Sequence, residues 1–105
     1  MKRIYTLLLL TMLTLSINAQ PILCGHRGSL WGVENTSEAF INGAKKGYKY
    51  LECDVKVTGD GEYIISHDDN TSRLGGNLTI ASATLAQLKA ETYTQTRGGV
   101  KYTGQ

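Results

Sequence analysis

The chain has 105 residues, with eleven Lys and Arg against nine Asp and Glu, and two Cys. A balance this close to neutral lacks the basic face that nucleic-acid binding needs, so DNA and RNA are not expected partners. Two cysteines in a chain of this length also exclude a disulfide-dense scaffold.

Residues 1–19 start with Lys2 and Arg3, continue through an apolar run from Ile4 to Leu15 and leave past the small Ala19. This is the layout of a secretory signal peptide cleaved between Ala19 and Gln20. The apolar run is interrupted by Thr and falls short of the roughly 20 residues a membrane span needs, so export is expected and stable membrane insertion is not. Ile22 and Leu23 ahead of Cys24 are too large for a lipoprotein signal. A periplasmic and a secreted destination both fit. Once Lys2 and Arg3 are removed, residues 20–105 carry nine charges of each sign and have the length for one small domain.

The mature segment opens with PILCG, a short apolar run that predicts a buried strand ending just before His26. Asn35 and Glu38 stand three apart as an N-cap and its acidic partner, which predicts a helix from Thr36. Its inner stripe would be Thr36, Ala39, Phe40, Gly43 and Ala44, mostly small enough for close packing on a sheet. Lys45 and Lys46 suit the negative end of the helix dipole, and Gly47 suits a left-handed stop. In YLECDVKV, Leu51, Cys53, Val55 and Val57 alternate with Tyr50, Glu52, Asp54 and Lys56, which predicts a single strand. TGDG turns the chain, and YIIS predicts another strand ending at His67.

Asp68 to Asn77 reads as loop. Thr84 and Gln87 make a T-x-x-Q capping box for a second helix through Leu85, Leu88 and Lys89. The tail GGVKYTGQ has turn composition. Cys24 and Cys53, placed on these strands, point to opposite faces of the sheet and are expected as free thiols. The order strand, helix, strand, hairpin strand, helix is that of an α/β fold with a mainly parallel sheet. Function in such folds gathers at the carboxyl ends of strands, where His26 and His67 stand.

Glu52 and Asp54, two apart in a strand, send both carboxylates into one volume about 7 Å apart. A hard divalent cation, Ca²⁺ or Mg²⁺, would relieve their repulsion. The alternative is the solvated face of an antiparallel strand. His26 and His67 are the only two histidines and can serve as general base and general acid near neutral pH, although either alone is as readily structural. The fork of Arg27 matches two phosphate oxygens, its alternative being a salt bridge with Glu34 or Asp68. Together these residues ask for one reaction, the hydrolysis of a phosphodiester.

The same residues carry a family resemblance. His26-Arg27-Gly28, Glu34-Asn35-Thr36, Glu52-x-Asp54-Val55 followed by Thr58-x-Asp60-Gly61, and His67-Asp68 resemble the glycerophosphodiester phosphodiesterase family over nearly all of the mature chain. The resemblance implies a TIM barrel. It implies acid and base roles for His26 and His67, metal binding by Glu52 and Asp54, and Arg27 on the phosphate of a small glycerophosphodiester. Products would be an alcohol and glycerol 3-phosphate. Glu34, Asn35 and Asp68 are candidates for a supporting shell, and Glu34 would either orient Arg27 or approach the cation.

Val33 stands where the family usually has Pro. Cys53 replaces an aliphatic residue and should point out of the barrel towards the helices. A barrel takes about 250 residues, so the chain is expected to be the amino-terminal portion of one, incomplete and inactive by itself.

Two rivals share these residues. A lysophospholipase D-like lipid phosphodiesterase would use the same groups on another substrate, with Trp31 as the hint of a lipid. A secreted, non-catalytic binding module on the same barrel would keep the fold without turnover.

Overall fold

The computed structural model describes residues 20–105, so the signal-peptide expectation for residues 1–19 lies outside the described residues. Strand β1 (Cys24–Gly25) leads through a loop into helix α1 (Ser37–Lys45), and the chain returns as β2 (Tyr50–Leu51) beside β1 in parallel register. This strand–helix–strand unit is what the short apolar run and the following helix predict. Its helix lies close to the sheet because its inner positions are small. A Cβ at Gly43 would lie 2.9 Å from the Gly28 carbonyl oxygen and 2.9 Å from Leu51 Cδ2. Ser29 Oγ donates to the Ala39 carbonyl at 2.6 Å and ties the preceding loop to the same face.

Thr36, Ala39 and Gly43 of the expected stripe are buried, Phe40 is half-buried and Ala44 is exposed. The helix starts one residue later than predicted, because Thr36 rather than Asn35 is the N-cap. Thr36 Oγ1 accepts from the Ala39 amide, while Asn35 sits in left-handed backbone at φ 57°. At the other end Gly47 takes the left-handed turn at φ 87°, as expected.

The predicted strand Tyr50–Val57 is two strands. β2 ends at Leu51, and β3 (Val55–Val57) pairs antiparallel with β4 (Tyr63–Ile65) through the TGDG turn. The reason is a change of partner. The Glu52 amide still bonds to the Gly25 carbonyl at 2.8 Å, whereas the Asp54 carbonyl already accepts from Ser66 at 2.9 Å on the β4 side. Glu52, Cys53 and Asp54 bridge the two pairings.

The stretch read as loop holds a short 3₁₀ turn, Ser72–Leu74, and a second one follows at Ile80–Ser82. Helix α2 (Leu85–Ala90) has the predicted capping box, with Thr84 Oγ1 accepting from the Gln87 amide at 3.1 Å and Gln87 Oε1 accepting from the Thr84 amide at 2.9 Å. The tail is not merely a turn. β5 (Tyr93–Arg97) and β6 (Val100–Gly104) form an antiparallel hairpin around Gly98 and Gly99, whose φ values of 57° and 79° fit the two-residue turns that match strand twist.

Only β1 and β2 pair in parallel among the described residues. The other two pairs are antiparallel hairpins, which corrects the expectation of a mainly parallel sheet. The fold is mixed α/β. A buried cluster of Ile80, Ala83 and Leu88 forms its core among the described residues, with Ile64 and Leu78 packed against it. The opposite face of the β3–β4 hairpin, Val55, Val57, Tyr63 and Ile65, is exposed. The expected burial of PILCG does not hold either: Ile22, Leu23 and Cys24 are exposed and only Gly25 is buried. Both cysteines are free thiols, as predicted, and Cys53 is exposed.

Candidate active site

Where β1 ends, the backbone turns sharply to present two side chains. Arg27 adopts left-handed backbone at φ 51° and Gly28 at φ 93°. Such backbone costs an ordinary residue about 1–2 kcal/mol. Glu52 holds the turn from below. Its carbonyl accepts from the Gly28 amide at 3.0 Å and its Oε2 from the Arg27 amide at 2.9 Å. The Asn35 amide closes the far side onto the Arg27 carbonyl at 2.8 Å. Arg27 and Asn35, the two non-glycine residues in left-handed backbone among those described, therefore clasp each other across one loop.

Side chains extend this into a continuous network. His26 Nε2 lies 3.9 Å from Glu52 Oε2. Arg27 Nη1 donates to Glu34 Oε1 at 3.1 Å, and Arg27 Nε lies 3.8 Å from Asp54 Oδ2. Asp54 Oδ2 also accepts from Asn35 Nδ2 at 3.0 Å. Glu34 meets Arg73 through both of its oxygens, with Arg73 Nη1 to Glu34 Oε2 at 3.0 Å and Nη2 to Oε1 closer still. Arg73 Nε donates to Asp68 Oδ2 at 2.8 Å, and Asp68 Oδ1 meets His67 Nδ1 at 2.7 Å.

All eight residues singled out from the sequence thus fall on one chain of contacts. Asn35 is there as a partner of Asp54 and not as the helix cap. Glu34 hydrogen-bonds to Arg27, the contact that the first of its two expected roles requires. The ion pair weighed against the phosphate role of Arg27 is present too, on Glu34.

Glu34 is the electrostatic centre. Burial, with the residue only 5 % exposed, pushes its carboxyl up. Hydrogen bonds from Arg73 and Gln95, with the charges of Arg73 and Arg27, outweigh that and hold it at about 2. Asp68 is likewise held at about 2, by Arg73 and then by His67.

Three members were missed in the sequence. Arg73 lies in the stretch read as loop, and Gln95 and Arg97 lie on the β5–β6 hairpin. Gln95 Nε2 donates to Glu34 Oε2 at 2.8 Å, and Gln95 Oε1 accepts from the Glu34 amide at 2.9 Å. Arg97 Nη1 donates to the carbonyls of Ser29 and Gly32. The Gly-Gly pair between two runs of strand-forming residues was the signal that could have revealed this hairpin.

A cavity of about 500 Å³ opens beside the network, lined by Asn35, His67, Asp68 and Arg73 as well as by apolar Ile65 and Leu88. His26, Glu52 and Asp54 are not part of its wall. For a divalent cation the donor chemistry fits in part. Glu52 and Asp54 each commit one oxygen, Oε2 and Oδ2, to the loop, and Asn35 Oδ1 beside Asp54 is buried without a partner. Among the described residues no three His, Cys, Asp or Glu side chains are grouped as a metal site. Two carboxylates supply hard oxygen ligands and fall short of a full set.

Comparison with known proteins decides the family. The model of the glycerophosphoryl diester phosphodiesterase family matches residues 24–103. The chain belongs to that family. It is 38% identical over 77 residues to the probable glycerophosphodiester phosphodiesterase 1 of Mycobacterium tuberculosis, covering 70% of this chain and 27% of that protein. It is 37% identical over 65 residues to the human lysophospholipase D GDPD1, covering 60% of this chain and 21% of that one.

Among solved structures, the crystal structure of a glycerophosphodiester phosphodiesterase from Thermotoga maritima superposes with a TM-score of 0.63 at 38% identity. The alignment covers 69% of this chain and 33% of that one. The chain therefore spans a third or less of the length of these relatives.

Proposed function

We propose that the protein carrying this chain hydrolyses small glycerophosphodiesters to an alcohol and glycerol 3-phosphate. In this reading residues 20–105 form the amino-terminal part of a phosphodiesterase domain and supply the first strand–helix units of a TIM barrel. Residues 1–19 direct export to the periplasm or beyond the cell. The observation that carries the reading is the unbroken contact chain from His26 through Glu52, Arg27, Glu34, Arg73 and Asp68 to His67. It links two histidines and two guanidiniums between the ends of β1 and β4.

Arg27 binds a non-bridging phosphate oxygen through the part of its fork not held by Glu34. One histidine takes a proton from the attacking water as its oxygen bonds to phosphorus. The other gives a proton to the alcohol oxygen as its bond to phosphorus breaks, so the water is divided between the two products. Asp68 accepts from His67 Nδ1 and leaves Nε2 to face the substrate. Glu52 and Asp54 would hold a divalent cation, Ca²⁺ or Mg²⁺, which when bound neutralises charge on the phosphate.

Turnover of glycerophosphocholine, measured as choline release, tests the reading. His67→Ala is expected to lower kcat by about 10²–10⁴-fold. Unchanged turnover in that variant, or binding of glycerophosphocholine without any turnover by the unaltered protein, would reject it. A lipid substrate is the second reading, supported by the relation to the human lysophospholipase D and by half-exposed Trp31. A higher kcat/KM for lysophosphatidylcholine than for glycerophosphocholine would favour it.

A further inference from the structure

Glu34 and Gln95 are 61 residues apart, yet the Gln95 amide makes two bonds to this one residue. Its carbonyl oxygen accepts from the Glu34 backbone and its NH₂ donates to the Glu34 carboxylate. The backbone and the carboxylate plane of Glu34 are thereby fixed together. That plane matters because Glu34 is the only side chain among the described residues to which the Arg27 side chain donates a hydrogen bond. Arg27 Nε is buried without a partner, with Asp54 Oδ2 3.8 Å away.

Arg73 also binds Glu34, but it is shared with Asp68 and its side chain is 43% exposed. Arg73 grips both carboxylate oxygens from an exposed turn, whereas Gln95 alone ties the carboxylate to the Glu34 backbone. The same hairpin grips the loop a second time through Arg97 on the carbonyls of Ser29 and Gly32.

We propose that Gln95 is a positioning residue that acts through Glu34 to aim the Arg27 guanidinium at the phosphate, with the β5–β6 hairpin as its mount. The phosphate role rests on the function proposed above, whereas the aiming of Arg27 can be observed without it. A carboxyl introduced by Gln95→Glu would face the Glu34 carboxylate, with Arg73 and Arg27 behind it, Asp68 and His67 beyond Arg73, and Asp54 beyond Arg27. Ionised, it repels Glu34 and cannot donate. Protonated, it offers one O–H donor and one acceptor oxygen, the pattern of the amide it replaces.

The test uses the protein carrying this chain, with ¹⁵N-labelled arginine, as parent, Gln95→Leu and Gln95→Glu. Resolved Nη signals of Arg27 report hindered rotation of its guanidinium. They are expected in the parent, lost in Gln95→Leu at both pH 5 and pH 8, and in Gln95→Glu lost at pH 8 and regained at pH 5. In parallel, kcat/KM for glycerophosphocholine should fall about tenfold in Gln95→Leu, as for one lost hydrogen-bonding pair. Gln95→Glu should show the same deficit at pH 8 and come within about threefold of the parent at pH 5, each compared at equal pH.

Freely rotating Arg27 in the parent, or hindered Arg27 in all three proteins, would overturn the proposal. So would a lower melting temperature in the variants with neither the Arg27 signals nor the pH pattern altered, since Gln95 would then be only structural. A parent that turns over no glycerophosphodiester while Arg27 still responds to Gln95 would reject the function and keep the positioning. Normal turnover with no response would do the reverse.

Discussion

Replacing Glu34 by Gln removes one charge from the centre of the network and changes almost nothing in size. In the parent the carboxyl sits at about 2, against an ordinary 4.5, in a side chain that is 4% exposed. At about 1.36 kcal/mol per pH unit, that difference corresponds to about 3 kcal/mol of stability. This matches the 3–5 kcal/mol typical of a buried ion pair broken on one side. The sign follows from linkage. A carboxyl lowered on folding stabilises fully above its unfolded value of 4.5, and the contribution disappears as pH falls through about 2.

Glu34→Gln should therefore be about 3 kcal/mol less stable than the parent at pH 7, with the gap closing between pH 4.5 and pH 2. Urea unfolding of both proteins across that range measures it. Making both proteins in an Asp68→Asn background removes from the difference the titration of Asp68, which shares Arg73 with Glu34. A gap that stays constant from pH 7 to pH 2, or one below about 1 kcal/mol at pH 7, would refute the assignment of Glu34 as the buried anion of this network.

Gly25→Ala should cost about 3 kcal/mol by urea unfolding, the upper end of overpacking penalties, since its Cβ would collide with the Gly28 carbonyl and lie 2.9 Å from Leu51 Cδ2. Thr84→Ala should cost about 1 kcal/mol and raise hydrogen exchange within α2, because the Gln87 amide loses its acceptor, Thr84 Oγ1. Gly98→Ala should lower stability by about 1–2 kcal/mol through its left-handed φ of 57°, read as a shift in urea midpoint. Chelation with EDTA should abolish choline release, and added Ca²⁺ or Mg²⁺ should restore it. Activity untouched by chelation would remove the cation role from Glu52 and Asp54.

The parts of the fold legible in the sequence are those whose cause is local. Thr84 and Gln87 satisfy each other within one turn, so the pattern alone placed that cap. Asn35 shows the limit. Asn35-x-x-Glu38 is a valid cap pattern, and so is a cap at Thr36. The choice was made by Asp54, 19 residues on, which draws the Asn35 amide away into left-handed backbone. The alternation in YLECDVKV predicts one strand because it says nothing about partners, and the change of partner at Glu52–Asp54 breaks the strand there.

For the site, the motifs named the candidate residues and the structure joined them. Arg73 and Gln95 were not legible because neither belongs to a local pattern. Each matters only through a carboxylate brought to it by the fold, 39 and 61 residues away in sequence.

That separation also sets an order of events as the chain leaves the ribosome. Arg27 and Glu34 are seven residues apart and can meet as soon as the loop between them exists. Gln95 and Glu34 must close a span of 61 residues, which costs about 2 kcal/mol more in chain entropy than the nearer pair. Glu34 thus has its first cation early and its last two bonds late. The earliest-made part of the site waits on the latest-made hairpin for its final geometry, and a nascent chain paused before Gln95 would hold Glu34 by its charge partners alone.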